Sequence, residues 1–237
     1  MLEAGVPESA MVIVAHPDDA EFTVGGTVAR WTAVGCRVTY VVCTDGNAGS
    51  TDPHVDPQEL AGIRRAEQRA AGAVLGVKEV VFLGYDDGRL EPNLDLRREL
   101  VRAIRQYKPE VVICWDPTRL FGDGDYINHP DHRAAAQAAL DAAVPASGMP
   151  LLWPEVGAMH RVRQVYVFGH DQPNVWIDVT ETIDRKIEAL KKHASQVGDW
   201  DPTEMIEQWA AETGKEQGLA YAESYRVFTL EPSPAVD

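Results

Sequence analysis

The sequence predicts an α/β fold, a Rossmann-like arrangement in which a mostly parallel sheet is flanked by helices. Short apolar runs alternate four times with segments of helical periodicity up to residue 143. The runs are apolar throughout, which is typical of strands that are buried on both faces. With 237 residues, the chain is long enough for one such domain and short for two. We therefore expect residues 1–237 to form one domain with an elaborated C-terminal third.

Six runs are predicted to be strands because they are short, rich in β-branched residues and bounded by turn-forming residues. The first four alternate with helices and should form the parallel part of the sheet. The last two belong to the C-terminal third. The predicted strands are Met11–Ala15, Arg37–Cys43, Glu79–Leu83, Glu110–Trp115, Gln164–Phe168 and Val175–Val179.

Helices are predicted between these runs, and the first two end at Gly35 and Gly76, where glycine is a common stop signal. The predicted helices are Glu21–Val34, Gln58–Leu75, Asp95–Tyr107, Asp131–Ala143 and Thr180–Gln196, followed by one more helix and a tail. Three stretches rich in Gly, Pro, Asn or Asp are predicted to be loops. We expect these loops, residues 45–57, 116–128 and 144–162, to form the walls of a ligand pocket.

Composition narrows the classes of partner. The formal net charge is −15, and an acidic chain repels phosphate backbones, so we expect no nucleic-acid partner. No apolar run reaches the roughly 18 residues of a membrane span, and the N-terminus lacks the features of a secretory signal. Cys36, Cys43 and Cys114 lie in or beside apolar runs and form no CxxC pair. They predict buried thiols in a reduced, cytoplasmic protein.

Two polar clusters follow strands of the predicted sheet. Residues 15–21 (AHPDDAE) come directly after the first strand, and residues 128–132 (NHPDH) end the loop after the fourth. In open α/β sheets ligands bind at the carboxyl ends of the strands, so both clusters should lie at the binding site. Neither is a phosphate loop, because GxGxxG and GxxxxGK[ST] are absent and Gly25-Gly26 lies inside the predicted helix.

The residue types in these clusters are those of a catalytic zinc site. His and Asp are the ligands of catalytic zinc ions that keep one position for water. His16 and Asp19 are three residues apart, so one turn can bring both to one point, while Asp18 must then point elsewhere and can serve as a base. Of His129 and His132, one can reach the metal and the other the reacting carbonyl. The alternative is that Asp18 only caps a helix.

These motifs resemble those of the LmbE-like, or PIG-L, family of zinc-dependent N-deacetylases, and the resemblance covers most of the chain. It rests chiefly on the AHPDDAE and HPDH motifs. The supporting motifs are Gly25-Gly26, Thr44-Asp45-Gly46, Arg64-x-x-Glu67, Asp87-Gly88, Trp176-Ile-Asp178 and the segment Lys186–Gln196. The resemblance implies a Rossmann-like fold and hydrolysis of N-acetyl groups, often on N-acetylglucosamine-type conjugates.

By position, the resemblance makes His16, Asp19 and His132 the ligands of a Zn²⁺ cofactor. It makes Asp18 the general base and His129 the group that stabilises the oxyanion. In the implied reaction zinc lowers the pKa of a bound water and the substrate amide is split into acetate and a free amine. Either Asp18 or His129 then gives the amine its proton.

Further roles follow from the same resemblance. Arg64 and Asp87 align with positions that hold sugar hydroxyls in some members, and Asp131 would orient a histidine ligand through a hydrogen bond. Ala20 separates Asp19 from Glu21, whereas many members read HPDDE. Tyr126 lies three residues before His129, and its part in the oxyanion site stays open.

Two alternatives to deacetylation remain at this point. One is a zinc amidase that cleaves another amide of a sugar–thiol conjugate, and the other is a non-catalytic sugar-binding protein on the same fold. The expected partner is in each case a small amino-sugar molecule. The sequence leaves open which substrate and acyl group are used and whether chains associate into a homo-oligomer.

Overall fold

A computed structural model describes residues 5–122 and 125–230 of the chain. Its centre is a seven-stranded sheet in the order β3-β2-β1-β4-β5-β7-β6. The strands are β1 (Ser9–Val14), β2 (Arg37–Thr44), β3 (Glu79–Tyr85), β4 (Val111–Trp115), β5 (Gln164–Phe168), β6 (Val175–Asp178) and β7 (Ala222–Thr229). The first five strands in this order, β3, β2, β1, β4 and β5, pair in parallel. β7 pairs antiparallel with both β5 and β6. The predicted fold class is confirmed.

Helices cover both faces of the sheet, because side chains of one strand point alternately to opposite faces. Val12 and Val14 of β1 join a buried apolar cluster on one face, and Met11 and Ile13 join a second cluster on the other. The described helices are α1 (Asp19–Thr23), α2 (Gly25–Ala33), α3 (Pro57–Leu75), α4 (Leu94–Tyr107), α5 (Pro130–Ala143), α6 (Ile183–Leu190), α7 (Ala194–Val197) and α8 (Thr203–Lys215). Not one of them has both the length and the apolar character needed to cross a membrane.

The predicted helix Glu21–Val34 is wrong as one unit, because the chain breaks at Val24 into α1 and α2. Gly25 and Gly26 therefore lie at a helix start and not inside a helix. The amides of Gly26 and Thr27 donate to the carboxylate of Glu223 at 3.0 and 2.8 Å. This carboxylate, from β7, occupies the helix start where an anion would otherwise bind.

The C-terminal third departs most from the prediction. Ala222–Thr229, which falls in the stretch predicted to hold only a helix and a tail, is β7 and lies between β5 and β6. The predicted helix Thr180–Gln196 is divided into α6 and α7. Both differences follow from pairing and packing with distant parts of the chain, which local sequence does not encode.

The stretch 144–162 does not form a wall of the ligand pocket as predicted. It lies at the amino ends of the strands, on the side of the sheet opposite to the active-site cavity. There it lines a second cavity of about 970 Å³ together with Glu110 and Gln164, beside the starts of β4 and β5. The reason is geometric. Because α5 begins near the carboxyl ends of the strands, its C-terminus returns the chain to their amino ends.

Candidate active site

The site lies beside the carboxyl ends of β1 and β4. β1 is paired with β2 on one side and β4 on the other, so the chain order of the strands reverses at this point. Ligands bind at such switch points in open α/β sheets. A cavity of about 390 Å³ opens there, lined by His16, Asp18, Asp19, Phe22, Arg64, Asp87, Tyr126, Ile127, His129 and His132. Every predicted metal and catalytic residue lines this one cavity.

His16, Asp19 and His132 converge on a single point. Oδ1 of Asp19 is 3.1 Å from Nε2 of His132, and Oδ2 of Asp19 is 3.6 Å from Nδ1 of His16. The three side chains offer ligand atoms within 4.8 Å of one another. Asp19 is fixed locally, because its Oδ2 accepts the backbone amides of Ala15 and His16 at 3.1 and 2.9 Å.

The far nitrogen of each imidazole already has a partner. Nδ1 of His132 is 3.0 Å from Oδ1 of Asn128, whose amide nitrogen donates to the carbonyl of Arg119. Asn128 thus presents its oxygen, so His132 donates from Nδ1 and its Nε2 is the atom that faces Asp19. Nε2 of His16 faces Asp87 at 3.0 Å and Asp131 at 3.3 Å, which leaves Nδ1 turned towards Asp19. Hydrogen bonds of this kind orient histidine ligands of metals.

The electrostatics favour a cation. Burial alone would lower the pKa of His16, but hydrogen bonds to Asp131, Asp19 and Asp87 raise it to about 12. Burial would likewise raise the pKa of Asp19, yet His132 and His16 hold it well below its usual range. Two imidazoles and one carboxylate with fixed outer hydrogen bonds are the donor set of a catalytic zinc site, so the residues present fit a divalent metal.

A second group, His16, His129 and Asp131, also brings ligand atoms within 4.8 Å. Its atoms are already used. Nδ1 of His129 accepts the backbone amide of Asp131, and the two oxygens of Asp131 accept the amides of Gly88 and Leu90. The group of His16, Asp19 and His132 is therefore the better metal site.

The side chain of Asp18 points away from that of Asp19, as the sequence predicted for two adjacent aspartates. Its backbone has a left-handed φ of 99°, and although it occupies the N-cap position of α1, its side chain makes no capping hydrogen bond. Its Oδ2 instead lies 3.1 Å from Nη2 of Arg64. Burial raises the pKa of Asp18 to about 7, although Arg64 opposes this. A partly buried carboxyl that makes no capping hydrogen bond is suited to accept a proton.

Arg64 is more deeply buried than a residue that only binds substrate needs to be. It is 3% exposed, and its guanidinium donates to the carbonyls of Gly46 and Pro17 as well as to Asp18. Its neighbours explain the glycine at position 46, because a Cβ there would lie 2.3 Å from Nη1 of Arg64. The structure brings Arg64 to the pocket, but its donors face the protein.

His129 is held in place by the helix that it begins. It is the N-cap of α5, where its Nδ1 accepts the amide of Asp131 at 3.2 Å. Burial and the neighbouring His16 lower the pKa of His129, which favours the neutral ring with its proton on Nε2. Tyr126 also lines the cavity, and its hydroxyl donates to Oδ1 of Asn128 at 3.4 Å.

Residues 11–143, more than half of the chain, match the family model described as PIG-L, GlcNAc-PI de-N-acetylase. The chain belongs to the PIG-L family. Among its relatives is the diacetylchitobiose deacetylase of Thermococcus kodakarensis, which is 31% identical over 228 residues. The match covers 92% of this chain and 82% of that protein. The family inferred from the two histidine motifs is confirmed.

Solved structures of similar fold include the N,N'-diacetylchitobiose deacetylase from Pyrococcus horikoshii, with a TM-score of 0.85 at 28% identity over 98% of this chain and 88% of that one. A 4-carboxy-2-hydroxymuconate hydratase from Pseudomonas putida reaches a TM-score of 0.76 at 22% identity, over 97% of this chain and 100% of that one. The second likeness shows the fold alone. A PIG-L fold therefore does not by itself decide which reaction is catalysed.

Sequence reasoning missed several residues of this PIG-L site. Asn128 orients His132, and Trp115 stacks on the same ring at 4.8 Å between centroids. Gln68 accepts the backbone amide of Asp18 at 3.0 Å. Asn128 had a local signal, its position four residues before His132. Gln68 had none, because it reaches Asp18 across 50 positions of sequence.

Proposed function

We propose that this protein is a zinc-dependent hydrolase that removes the N-acetyl group from an uncharged N-acetylglucosamine-type sugar. One observation carries the proposal: a partly buried Asp18, whose side chain makes no capping hydrogen bond, lies beside a set of two histidines and one aspartate in the same cavity. Family membership and the named deacetylases among the relatives support the reaction class.

His16, Asp19 and His132 would hold the zinc ion. When bound, zinc supplies a Lewis acid and lowers the pKa of a water ligand to near 7. Zinc is favoured over Mg²⁺ or Ca²⁺ because those ions prefer sites made of oxygen ligands alone. The three cysteines are buried and unpaired, which supports the reduced, cytoplasmic setting proposed for the enzyme.

The chain's own groups account for the proton transfers. Asp18 accepts a proton from the attacking water, and its carboxylate is held in place by Arg64. His129 donates from Nε2 to the carbonyl oxygen as negative charge develops there. Asp18, protonated by that transfer, then gives the proton to the departing nitrogen, because the neutral ring of His129 has gained no proton to give. The C–N bond breaks, and acetate and a free amine are released.

The charge of the cavity favours an uncharged sugar over an anionic one. Asp18, Asp19 and Asp87 line it, and its one lining guanidinium among the described residues, that of Arg64, is engaged by Asp18 and two carbonyls. A phosphate or carboxylate close to the acetamide would meet like charge without a free basic partner. The amine product, which is a cation, meets opposite charge.

The first experiment is an acetate-release assay with N,N'-diacetylchitobiose, in which new primary amines are counted in parallel. We expect equal amounts of acetate and amine from the native enzyme, loss of both after chelation, and recovery with Zn²⁺. N-acetylglucosamine 1-phosphate serves as the anionic comparison and should be a poorer substrate.

Each other outcome has a distinct meaning. Cleavage only of amides with larger acyl groups would favour the amidase of sugar–thiol conjugates. Zinc-loaded protein that binds these sugars and releases no amine from any of them would favour a non-catalytic binding protein. Preference for the phosphorylated sugar would contradict the argument from charge.

A further inference from the structure

We propose that Gln68, Glu21 and His193 form a positioning array that holds the main chain of Asp18 in its left-handed conformation. All three side chains are fully buried, and none of them lines the cavity. They are positioning residues and not catalytic residues, because they act through Asp18. The inference rests on the proposed function, in which Asp18 is the general base.

The conformation to be held is an unusual one. Asp18 has φ 99° and ψ −27°, a region that residues other than glycine seldom adopt, although Asp and Asn do so more often than most. This turn is what separates the two adjacent aspartates, sending Asp19 to the metal ligands and Asp18 to Arg64. Backbone strain at functional sites persists only where the surroundings impose it.

The surroundings hold the peptide from both sides. Oε1 of Gln68 accepts the N–H of Asp18 at 3.0 Å, and Nη2 of Arg64 donates to the carbonyl of Pro17 at 2.7 Å. Both groups of the Pro17–Asp18 peptide are therefore fixed by buried side chains from α3. Gln68 and Arg64 lie four residues apart on that helix, so they share one face.

Glu21 fixes which end of Gln68 faces Asp18. Nε2 of Gln68 lies 3.0 Å from both carboxylate oxygens of Glu21. A flipped amide would place its oxygen against that carboxylate and its NH₂ group against the N–H of Asp18, and both contacts would be repulsive. His193 completes the array, with Nε2 at 3.2 Å from Oε2 of Glu21. The C-terminal third thus reaches the catalytic turn through His193.

Removing the array should let the Asp18 turn relax and move its carboxylate away from the attacking water. A misplacement of about 1 Å can reduce turnover roughly 10²-fold. Asp19 is also anchored without Gln68, because its Oδ2 accepts the backbone amides of Ala15 and His16, so zinc content should be retained. We therefore expect a loss in kcat with little change in KM.

Two single variants of Gln68 test this, and a double variant tests rescue. Gln68→Met removes both hydrogen bonds without adding charge, and Gln68→Glu sets two carboxylates against each other. Each should lower kcat roughly 10²-fold with native zinc content. Glu21→Gln combined with Gln68→Glu exchanges acid and amide, so Asp18 keeps its acceptor, and kcat should recover at least tenfold from the Gln68→Glu level.

Two measurements separate this inference from general destabilisation and from failure of the proposed function. Thr27→Val is the matched control, because Thr27 is equally buried and its hydroxyl lies 2.8 Å from that of Tyr225, away from Asp18. It should lower the melting temperature and leave kcat unchanged. Amide hydrogen exchange of the segment 16–22 needs no activity and should be faster in Gln68→Met than in Thr27→Val.

Native kcat in Gln68→Met would overturn the inference while wild-type deacetylation still stood. A double variant as slow as Gln68→Glu alone would overturn the hydrogen-bond account of the array. Inactive wild-type protein would count against the proposed function instead, and the exchange data alone would then decide whether the array holds the turn.

Discussion

Two buried groups of charged side chains lie close to α1, and they are balanced in different ways. The structural cluster consists of Glu223, Lys186, Thr27 and Tyr225. Its carboxylate pairs with Nζ of Lys186 at 2.6 Å and also accepts two backbone amides and the hydroxyl of Tyr225. Each oxygen of Glu223 therefore has more than one donor, and the charge is matched within the protein.

The second group, the catalytic cluster, has charges that are not matched within the protein. Four carboxylates, those of Asp18, Asp19, Asp87 and Asp131, meet one guanidinium and the three imidazoles. The surrounding carboxylates raise the pKa of His16 to about 12 and so keep its ring protonated. Without a metal ion, this proton supplies positive charge that the cluster otherwise lacks. A matched cluster stabilises the fold, whereas an unmatched one attracts a cation and leaves a carboxylate free to take up protons.

The largest expected effect follows from removing the carboxylate of the proposed metal site. Asp19→Ala should lose most of the bound zinc and bring turnover below detection, because Asp19 contacts His132 and orders the turn around His16. Metal analysis of the purified variant beside an acetate-release assay checks this. Full zinc occupancy in Asp19→Ala would remove this residue from the metal site.

Arg64→Met should reduce turnover by up to roughly 10²-fold, the cost of a misplaced catalytic group. The sequence motif predicts that Arg64 grips a sugar hydroxyl, which would raise KM, whereas its contact with Asp18 predicts a lower kcat. The matched control is Arg105→Met. Arg105 is equally buried and donates to main-chain carbonyls far from the cavity. A raised KM at native kcat would restore the role in substrate binding.

Asn128→Leu should act through the metal and not through the base. The variant removes the acceptor for Nδ1 of His132, and loss of such an outer hydrogen bond weakens metal affinity by roughly 10–100-fold. Activity should therefore fall at limiting Zn²⁺ and recover when Zn²⁺ is in excess. Activity that stays low at saturating Zn²⁺ would mean that Asn128 acts on the substrate.

The smallest effect on turnover is expected in the structural cluster. Lys186→Met leaves the buried charge of Glu223 without its ion pair, which typically costs about 3–5 kcal/mol of unfolding free energy. Urea unfolding should show this loss while kcat stays native. A matching fall in kcat of folded protein would show that the two clusters are coupled.

Local patterns in the sequence predicted the parallel part of the sheet and the candidate metal and catalytic residues that line the cavity. The strands up to β5 are apolar runs between turn residues, and the histidine motifs carry their ligand types in fixed spacing. β7 was not predicted, because AESYRVFT mixes polar and apolar residues and becomes a strand through pairing with β5 and β6.

The contacts that tune the site were not predictable from local sequence. The guanidinium of Arg64 donates hydrogen bonds to Pro17 and Asp18, which lie 47 and 46 positions away. No local pattern indicates either contact. After the break at Val24, the first amides of α2 donate to Glu223, which lies 197 positions from Gly26. Residue type and spacing therefore indicated which chemistry is present, while tertiary packing determined what each charge faces.

Asp18→Asn tests the central claim most directly. Asn also tolerates the left-handed conformation and can accept from Arg64, so the variant removes little besides the ability to take a proton. We predict native zinc content, nearly native KM and a kcat lower by roughly 10²–10⁴-fold, the usual contribution of a positioned general base. A zinc-loaded Asp18→Asn enzyme with near-native kcat would contradict the assignment of Asp18 as the base.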